Sequence, residues 1–391
     1  MADKVSTRVA EKEIRLEAPV AREVSLPAPA AERLNSLDTF RGFIMFWIVG
    51  GEALMVGVQA LGQNPIFSGI VYELRHTPWK GLRFYDCIWP SFMLMVGLSL
   101  PLSFAKRSLA QSYSQFVVHA LRRSLVLFLL GSVRESVFLG SPFLIELSSA
   151  LQPIAIAYFV AVLLVRKSPR VQAAVAALIL AAYALLLALV PAPGIPAGTY
   201  ELNHNLVNEV DLALFRAHWA RWPYAPEGWG TALSTIPTVS TTILGLLIGE
   251  LLMSKRSKES KVKMMGAAGL SCLALGYALS PVVPIVMKMW TTSYGLVTAG
   301  WACLMFLVFY WLIDVRGYRR LSVAFVVIGA NALFIYMFAS LVPLGRWVGI
   351  FTKAMAGSSA RVEPLTRAVC VLAIEWLILF WMYRKKLFIK A

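Results

Sequence analysis

From Phe43 onward the chain is a succession of long apolar runs separated by short clusters of basic or polar residues. A helix needs roughly 20 apolar residues to cross a bilayer core. The runs reach that length at 41–60, 85–105, 121–140, 143–165, 171–191, 233–253, 263–286, 293–314, 321–344 and 366–383. The pattern predicts an all-α, polytopic membrane helix bundle of about ten transmembrane helices. The third and fourth runs meet near Arg134, Glu135 and Glu146, charges that a span tolerates poorly. Residues 1–33 mix Lys, Arg and Glu with Ala and Pro and lack the compact apolar stretch of a cleaved leader. They are expected to form a disordered cytoplasmic tail, with residues 34–391 as the membrane domain. No repeat period of the solenoid or array kind is visible.

Composition supports the same class. Hydrophobic residues make up 58% of the 391-residue chain and charged residues 15%, against about half and about a quarter in an average soluble domain. A net charge of +16 would suggest a nucleic-acid partner in a polar protein, but here the basic residues sit in clusters between apolar runs. They read as loop charges set by membrane topology, with lipid rather than nucleic acid as the surroundings. If the N-terminus is cytoplasmic, 26 Lys and Arg fall on the inner side and 11 on the outer. Leaving out the first 41 residues still gives 19 against 11, so both termini are expected in the cytoplasm. Cys87, Cys272, Cys303 and Cys370 have no paired spacing, which indicates neither a disulfide framework nor a metal site.

Two outer loops are too long and polar to be simple turns: 62–84, with its His-Thr-Pro-Trp-Lys-Gly stretch, and 191–231, with His204, His218 and Glu227. Loops held on a rigid scaffold are where function concentrates. His76 can act as base or nucleophile near neutral pH, although the plainer reading of its position alone is a hydrogen bond to the loop backbone. Asp86, ten residues on, can orient and charge-stabilise an imidazole; the plainer reading is a helix cap before Pro90. Glu52 follows Gly50-Gly51 near the outer end of the first run, where an ionisable side chain is either functional or within reach of water. Asp38 and Arg41 are spaced to pair on one helix face. Lys106, Arg107, Arg122 and Arg123 can meet the phosphates of a nucleotide-like donor or serve as topological anchors. Lys288 and Glu375 are expected to pair with polar groups of neighbouring helices.

Five stretches in order give these residues a common context: RLNSLDTFRGFIMFWIVGGEAL (33–54), HTPWKGLRFYDCIWPSFMLMVGLSLPLS (76–103), PEGWGTALSTIPTVSTTILGLLIGE (226–250), KMWTTSYGLVTAG (288–300) and GANALFIYM (329–337). Together they resemble the heparan-alpha-glucosaminide N-acetyltransferase family and its bacterial relatives. The resemblance implies an enzyme of the bacterial inner membrane, possible as a homodimer. It would pass an acetyl group from cytosolic acetyl-CoA to an amino sugar or glycan on the outer side, with no metal. His76 corresponds to the family's catalytic histidine, as acetyl carrier or general base, and Asp86 to its aspartate. Arg41, Lys106, Arg107, Arg122 and Arg123 become expected donor contacts. Trp79, Glu227 and Asn331 become expected substrate contacts, Asn331 as an oxyanion donor. Where the family's lysosomal members carry asparagine, this chain has Glu52, as in the bacterial branch. An ionised Glu accepts hydrogen bonds but cannot donate them, which makes Glu52 a candidate base for the nucleophile. The rival class is a transporter or flippase, which should carry inverted repeats and paired broken helices; none is evident in the sequence.

Overall fold

A computed structural model describes residues 34–140, 142, 147, 149–215, 232–318, 322–356 and 360–389. The expected tail and the positions of Glu146, His218 and Glu227 lie outside the described residues. The architecture is a helix bundle whose described strands are a two-residue pair, β1 (Tyr200–Glu201) and β2 (His204–Asn205). The long helices are α1 (Asn35–Ala60), α3 (Ile88–Arg107), α4 (Tyr113–Leu139), α6 (Pro169–Leu189), α8 (Ala232–Met253), α9 (Lys258–Leu279), α10 (Thr292–Tyr310) and α14 (Glu363–Arg384). Between them lie α2 (Pro65–Leu74), α5 (Leu151–Leu164), α7 (Leu206–Phe215), α11 (Val323–Ala330), α12 (Ala332–Leu341) and α13 (Leu344–Ala356).

Local chemistry sets several boundaries. Ser112 and Gln115 form a reciprocal capping box at the start of α4, and Gly140 ends that helix in the left-handed region. Ser168 caps α6 with Pro169 in its first turn, and Ser257 caps α9.

Among the described residues, eight helices are long and apolar enough to cross a membrane, two fewer than the ten expected runs. Among the described residues of the fourth run, 143–165, the helix is the 14 residues of α5, roughly 21 Å at 1.5 Å per residue and short of a bilayer core. Its start is set by polar groups, since the Ser149 N–H donates to the Gln152 side chain one turn in. The ninth run is broken: α11 and α12 meet at a bend of 74° and could supply one further span only as a pair. Asn331 stands at the break, with the Ile328 carbonyl accepting from its N–H. Both runs average apolar despite their few polar residues, so hydropathy alone does not reveal either departure.

Close packing depends on small residues. A Cβ on Gly97 would fall on the carbonyl oxygen of Thr242, and one on Gly245 on that of Leu94, so α3 and α8 meet backbone to backbone. Gly269, Gly276 and Gly300 do the same between α9 and α10. Gly42 and Gly329 let α11 cross α1, while Gly50 and Gly57 receive Leu372 and Leu365 of the antiparallel α14. The N-terminus of α1 shares one end of the bundle with the C-terminus of α10, where the Ser36 N–H donates to Asp314 at 3.2 Å, and with α9, whose Lys258 ammonium donates to the Asp314 carbonyl at 2.7 Å. The helix-terminal Lys106, Arg107 and Arg384 lie at this basic end.

Substituting Gly245→Ala should therefore force α3 and α8 apart and lower the melting temperature of the detergent-solubilised protein, at a cost of about 1–3 kcal/mol for overpacking. Gly69→Ala, on exposed α2 with open space around it, should leave it unchanged or raise it slightly. Equal melting curves for the two variants would contradict this packing.

Candidate active site

At the other end of the bundle the chain leaves α2 through Arg75, follows the His76–Gly81 stretch and enters α3 by a short 3-10 turn, Phe84–Cys87. The turn buries Asp86, whose side chain is 0% exposed. Every hydrogen-bond partner of its carboxylate comes from the preceding eleven residues. His76 Nδ1 lies 2.7 Å from Oδ1. Thr77 Oγ1 donates to Oδ2 at 2.7 Å, the Thr77 N–H is 3.3 Å from both oxygens, and the Arg83 N–H donates to Oδ2 at 2.9 Å. An ionised carboxylate only accepts, so these donors fill its lone pairs and assign the His76 proton to Nδ1. The Arg83 contact closes the helix entry from the third position of the turn, so Asp86 serves the turn and the imidazole together, and the two readings of this residue are compatible.

The His76 ring is 43% exposed. Tyr85 covers one side, with ring centroids 4.8 Å apart, and the Arg83 guanidinium donates to the His76 carbonyl at 3.0 Å. The loop is also fixed from outside. Trp79 Nε1–H donates to the Tyr200 carbonyl at 2.7 Å, Lys80 pairs with Glu201 at 2.7 Å, and the Gly81 N–H donates to the Ile285 carbonyl at 2.9 Å. Gly81 holds φ at +121°, a conformation that L side chains rarely adopt. The Tyr294 hydroxyl, fully buried on α10, donates to the Asp86 carbonyl at 2.7 Å. An oriented imidazole, half open to the exterior and backed by a buried carboxylate, is the arrangement of an activated base or nucleophile.

The other expected residues are dispersed. Glu52 is exposed on α1 within electrostatic reach of Tyr85, so it borders the same ring that covers His76. Trp79 holds the loop through its indole N–H. Arg41 pairs with Asp38 at 3.3 Å near the start of α1. Lys106 and Arg107 end α3, roughly 30 Å from the dyad along a 20-residue helix. Arg122 is exposed on α4, whereas Arg123 is half-buried, with its guanidinium 5.0 Å from the Tyr158 ring centroid and its Nε–H buried without an acceptor. Asn331 is 0% exposed, and its amide is occupied by the segment after α14, donating to the Leu387 carbonyl at 3.0 Å and accepting from the Ile389 N–H at 2.9 Å. Its amide joins a helix break to the chain end, a different use from the oxyanion donor expected of it. Glu227 lies outside the described residues.

Sequence reasoning missed Thr77, Arg83, Tyr85 and Tyr294. The Asp86 carboxylate accepting from the Arg83 N–H has no capping-box partner in the sequence, since an Arg side chain cannot accept; Tyr294 is joined to the site only through tertiary contact. No cluster of three or more His, Cys, Asp or Glu suited to a metal is found among the described residues.

No family model matches the chain. The heparan-alpha-glucosaminide N-acetyltransferase of Homo sapiens is 25% identical over 92% of this chain and 60% of its own length. That of Mus musculus is 25% identical over 92% and 61%. The chain thus spans about three fifths of the length of these curated relatives. Fold and apolar helices define an integral, multi-pass membrane protein with a histidine–aspartate pair at one end of its bundle. The match runs along nearly the whole of this chain and supports a distant relationship to the heparan-alpha-glucosaminide N-acetyltransferases.

Thr77→Val removes the hydroxyl donor to Asp86 while keeping the side-chain shape. It should destabilise the protein by about 1.5–3 kcal/mol, the worth of a hydrogen bond to a charged group, whereas Thr77→Ser should not. Thermal unfolding of the two variants in one detergent checks this, and indistinguishable midpoints would contradict it.

Proposed function

We propose that the chain is a transmembrane acetyltransferase that moves the acetyl group of cytosolic acetyl-CoA to an amino sugar or glycan on the outer side of a bacterial inner membrane. The observation that carries this reading is the His76–Asp86 pair, a 2.7 Å contact between an exposed imidazole and a buried carboxylate at the end of the bundle opposite the basic clusters. With Nδ1–H given to Asp86, the Nε2 lone pair is the reactive one. It either attacks the thioester carbonyl, expelling the CoA thiolate and forming an acetyl-imidazole that the acceptor amine then opens, or it takes the proton of the acceptor as that attacks the thioester directly. In both routes Asp86 stabilises the positive imidazole as it forms.

Arg123 supports the donor side. It lies about ten residues into α4 from Tyr113, roughly 15 Å along the axis, and a cation at that depth with an unfilled N–H is costly unless something meets it. A donor with its phosphates near Arg107 and Arg122 would pass Arg123 on the way to the dyad. Glu52, near Tyr85, is placed to receive the acceptor's polar groups. The transporter alternative gains little. Its paired broken helices are matched among the described residues by a single bent pair, α11–α12.

Acetyl-CoA should raise the melting temperature of the purified protein, since a ligand that binds only the folded state stabilises it. Arg123→Met should reduce that shift. His76→Ala should keep the shift but lower acetyl transfer to an amino-sugar acceptor by about 10²–10⁴-fold, the usual worth of a positioned base. Asp86→Asn should fall in the same range. Wild-type turnover in His76→Ala would sink the proposal.

A further inference from the structure

α14 carries one carboxyl near the middle of its length. Glu375 lies about halfway along Glu363–Arg384 and is 4% exposed. An ionisable group at such depth is expensive and by default functional. A partner on a neighbouring helix is the simplest expectation, yet no described side chain or backbone group hydrogen-bonds or ion-pairs with it. Its carboxyl instead borders a cavity of about 350 Å³ between α1, the broken α11–α12 pair and α14.

The walls are hydrocarbon: Met45, Phe46 and Val49 from α1, Ile328 and Ile335 from either side of the break, and Leu372 from α14. The indole N–H of neighbouring Trp376 is used elsewhere, donating to the Ala324 carbonyl at 3.1 Å, so Glu375 is the polar group the cavity offers. Space opens where α12 leaves the line of α11 at 74°. At the rim stand Val369, 52% exposed, and Ala373, on helices that a bilayer surrounds with lipid chains.

Buried water needs two to four polar partners, which these walls do not supply. A hydrocarbon alone would leave the carboxyl unmatched. The occupant that satisfies both is apolar in body and carries a hydrogen-bond donor. We propose that this cavity is a binding site, entered from the bilayer, for a lipophilic molecule with a hydrocarbon body and one hydroxyl or amine that donates to Glu375. The site lies apart from the dyad. Trp47 and Gly51 turn towards Tyr85, whereas Met45, Phe46 and Val49 face the cavity. It does not depend on the acetyl-transfer reading.

The test uses the full-length protein in nanodiscs with three diazirine-bearing alkyl probes of equal chain length, ending in a hydroxyl, an amine or a methyl group, and maps adducts by peptide mass spectrometry. The hydroxyl or amine probe should label the cavity-lining peptides of α1, α12 and α14 about two- to tenfold more than the methyl probe, the worth of one hydrogen bond. That excess should vanish in Glu375→Leu and survive for the alcohol in Glu375→Gln, whose carbonyl still accepts. Equal labelling by all three probes, or an undiminished excess in Glu375→Leu, would overturn the proposal. If Glu375→Leu does not give a monodisperse protein, competition in the wild type decides. Unlabelled long-chain alcohol should displace the labelling and the matching alkane should not; equal displacement counts against the site.

Discussion

The buried carboxylate of Asp86 is the constraint on which the rest of the site depends. Removing such a group from water costs several kcal/mol unless donors replace the lost hydration. Here the donors are His76, the Thr77 backbone and hydroxyl, and the Arg83 backbone. The chain cannot place Asp86 at the mouth of α3 without also wrapping 76–83 around it, so the start of a helix and the pose of the histidine are one folding event. Tyr294 extends the arrangement to α10 through the Asp86 carbonyl, and Trp79, Lys80 and Gly81 extend it to the segments around Tyr200 and Ile285. A loop held at this many points gives the imidazole a fixed direction, which is what a positioned base requires.

What was legible in the sequence divides along the range of the forces involved. Eight long helices are visible because each repeats its own apolar signal over twenty or so residues, and the glycines of α3 and α8 show only which faces can close. The shortness of α5 and the break at Asn331 were not legible. Both coincide with particular hydrogen bonds, Ser149 to Gln152 and the Asn331 amide to Leu387 and Ile389, inside stretches that are apolar on average. In the site, His76 and Asp86 could be named because they are close in sequence and lie in a polar loop. Tyr294 could not, because 208 positions separate it from Asp86. Asn331 shows the converse. A polar residue in an apolar run attracts a chemical role, whereas its amide is spent on the backbone of the chain end.

Bilayer thickness imposes a second constraint. The basic termini and the dyad stand at opposite ends of helices roughly 30 Å long, so a donor bound through phosphates at one end meets an acceptor at the other only if its reactive group crosses most of the hydrocarbon core. The interior of the bundle is therefore the place to look for polar groups without structural duties. Arg123 is one such group: its guanidinium rests on Tyr158, and its Nε–H has no acceptor. Gln172 differs, fully buried with its side-chain N–H groups donating to Glu250 and to the Leu164 and Lys167 carbonyls, so the donor half of its amide has a structural use.

The Gly50-Gly51-Glu52 step of α1 brings these constraints together. A Cβ on Gly51 would stand 2.6 Å from the Tyr85 ring, so α1 can approach the dyad loop only with glycine there, and the approach presses Tyr85 towards His76. Glu52 follows directly, exposed and within electrostatic reach of the same tyrosine. On the proposed reading, whatever amine or hydroxyl comes to His76 from the exterior meets this carboxylate beside it. An ionised carboxylate attracts a protonated amine and accepts from a hydroxyl, whereas an amide in its place would also donate to a carbonyl. Acceptor choice in this chain should therefore turn on Glu52.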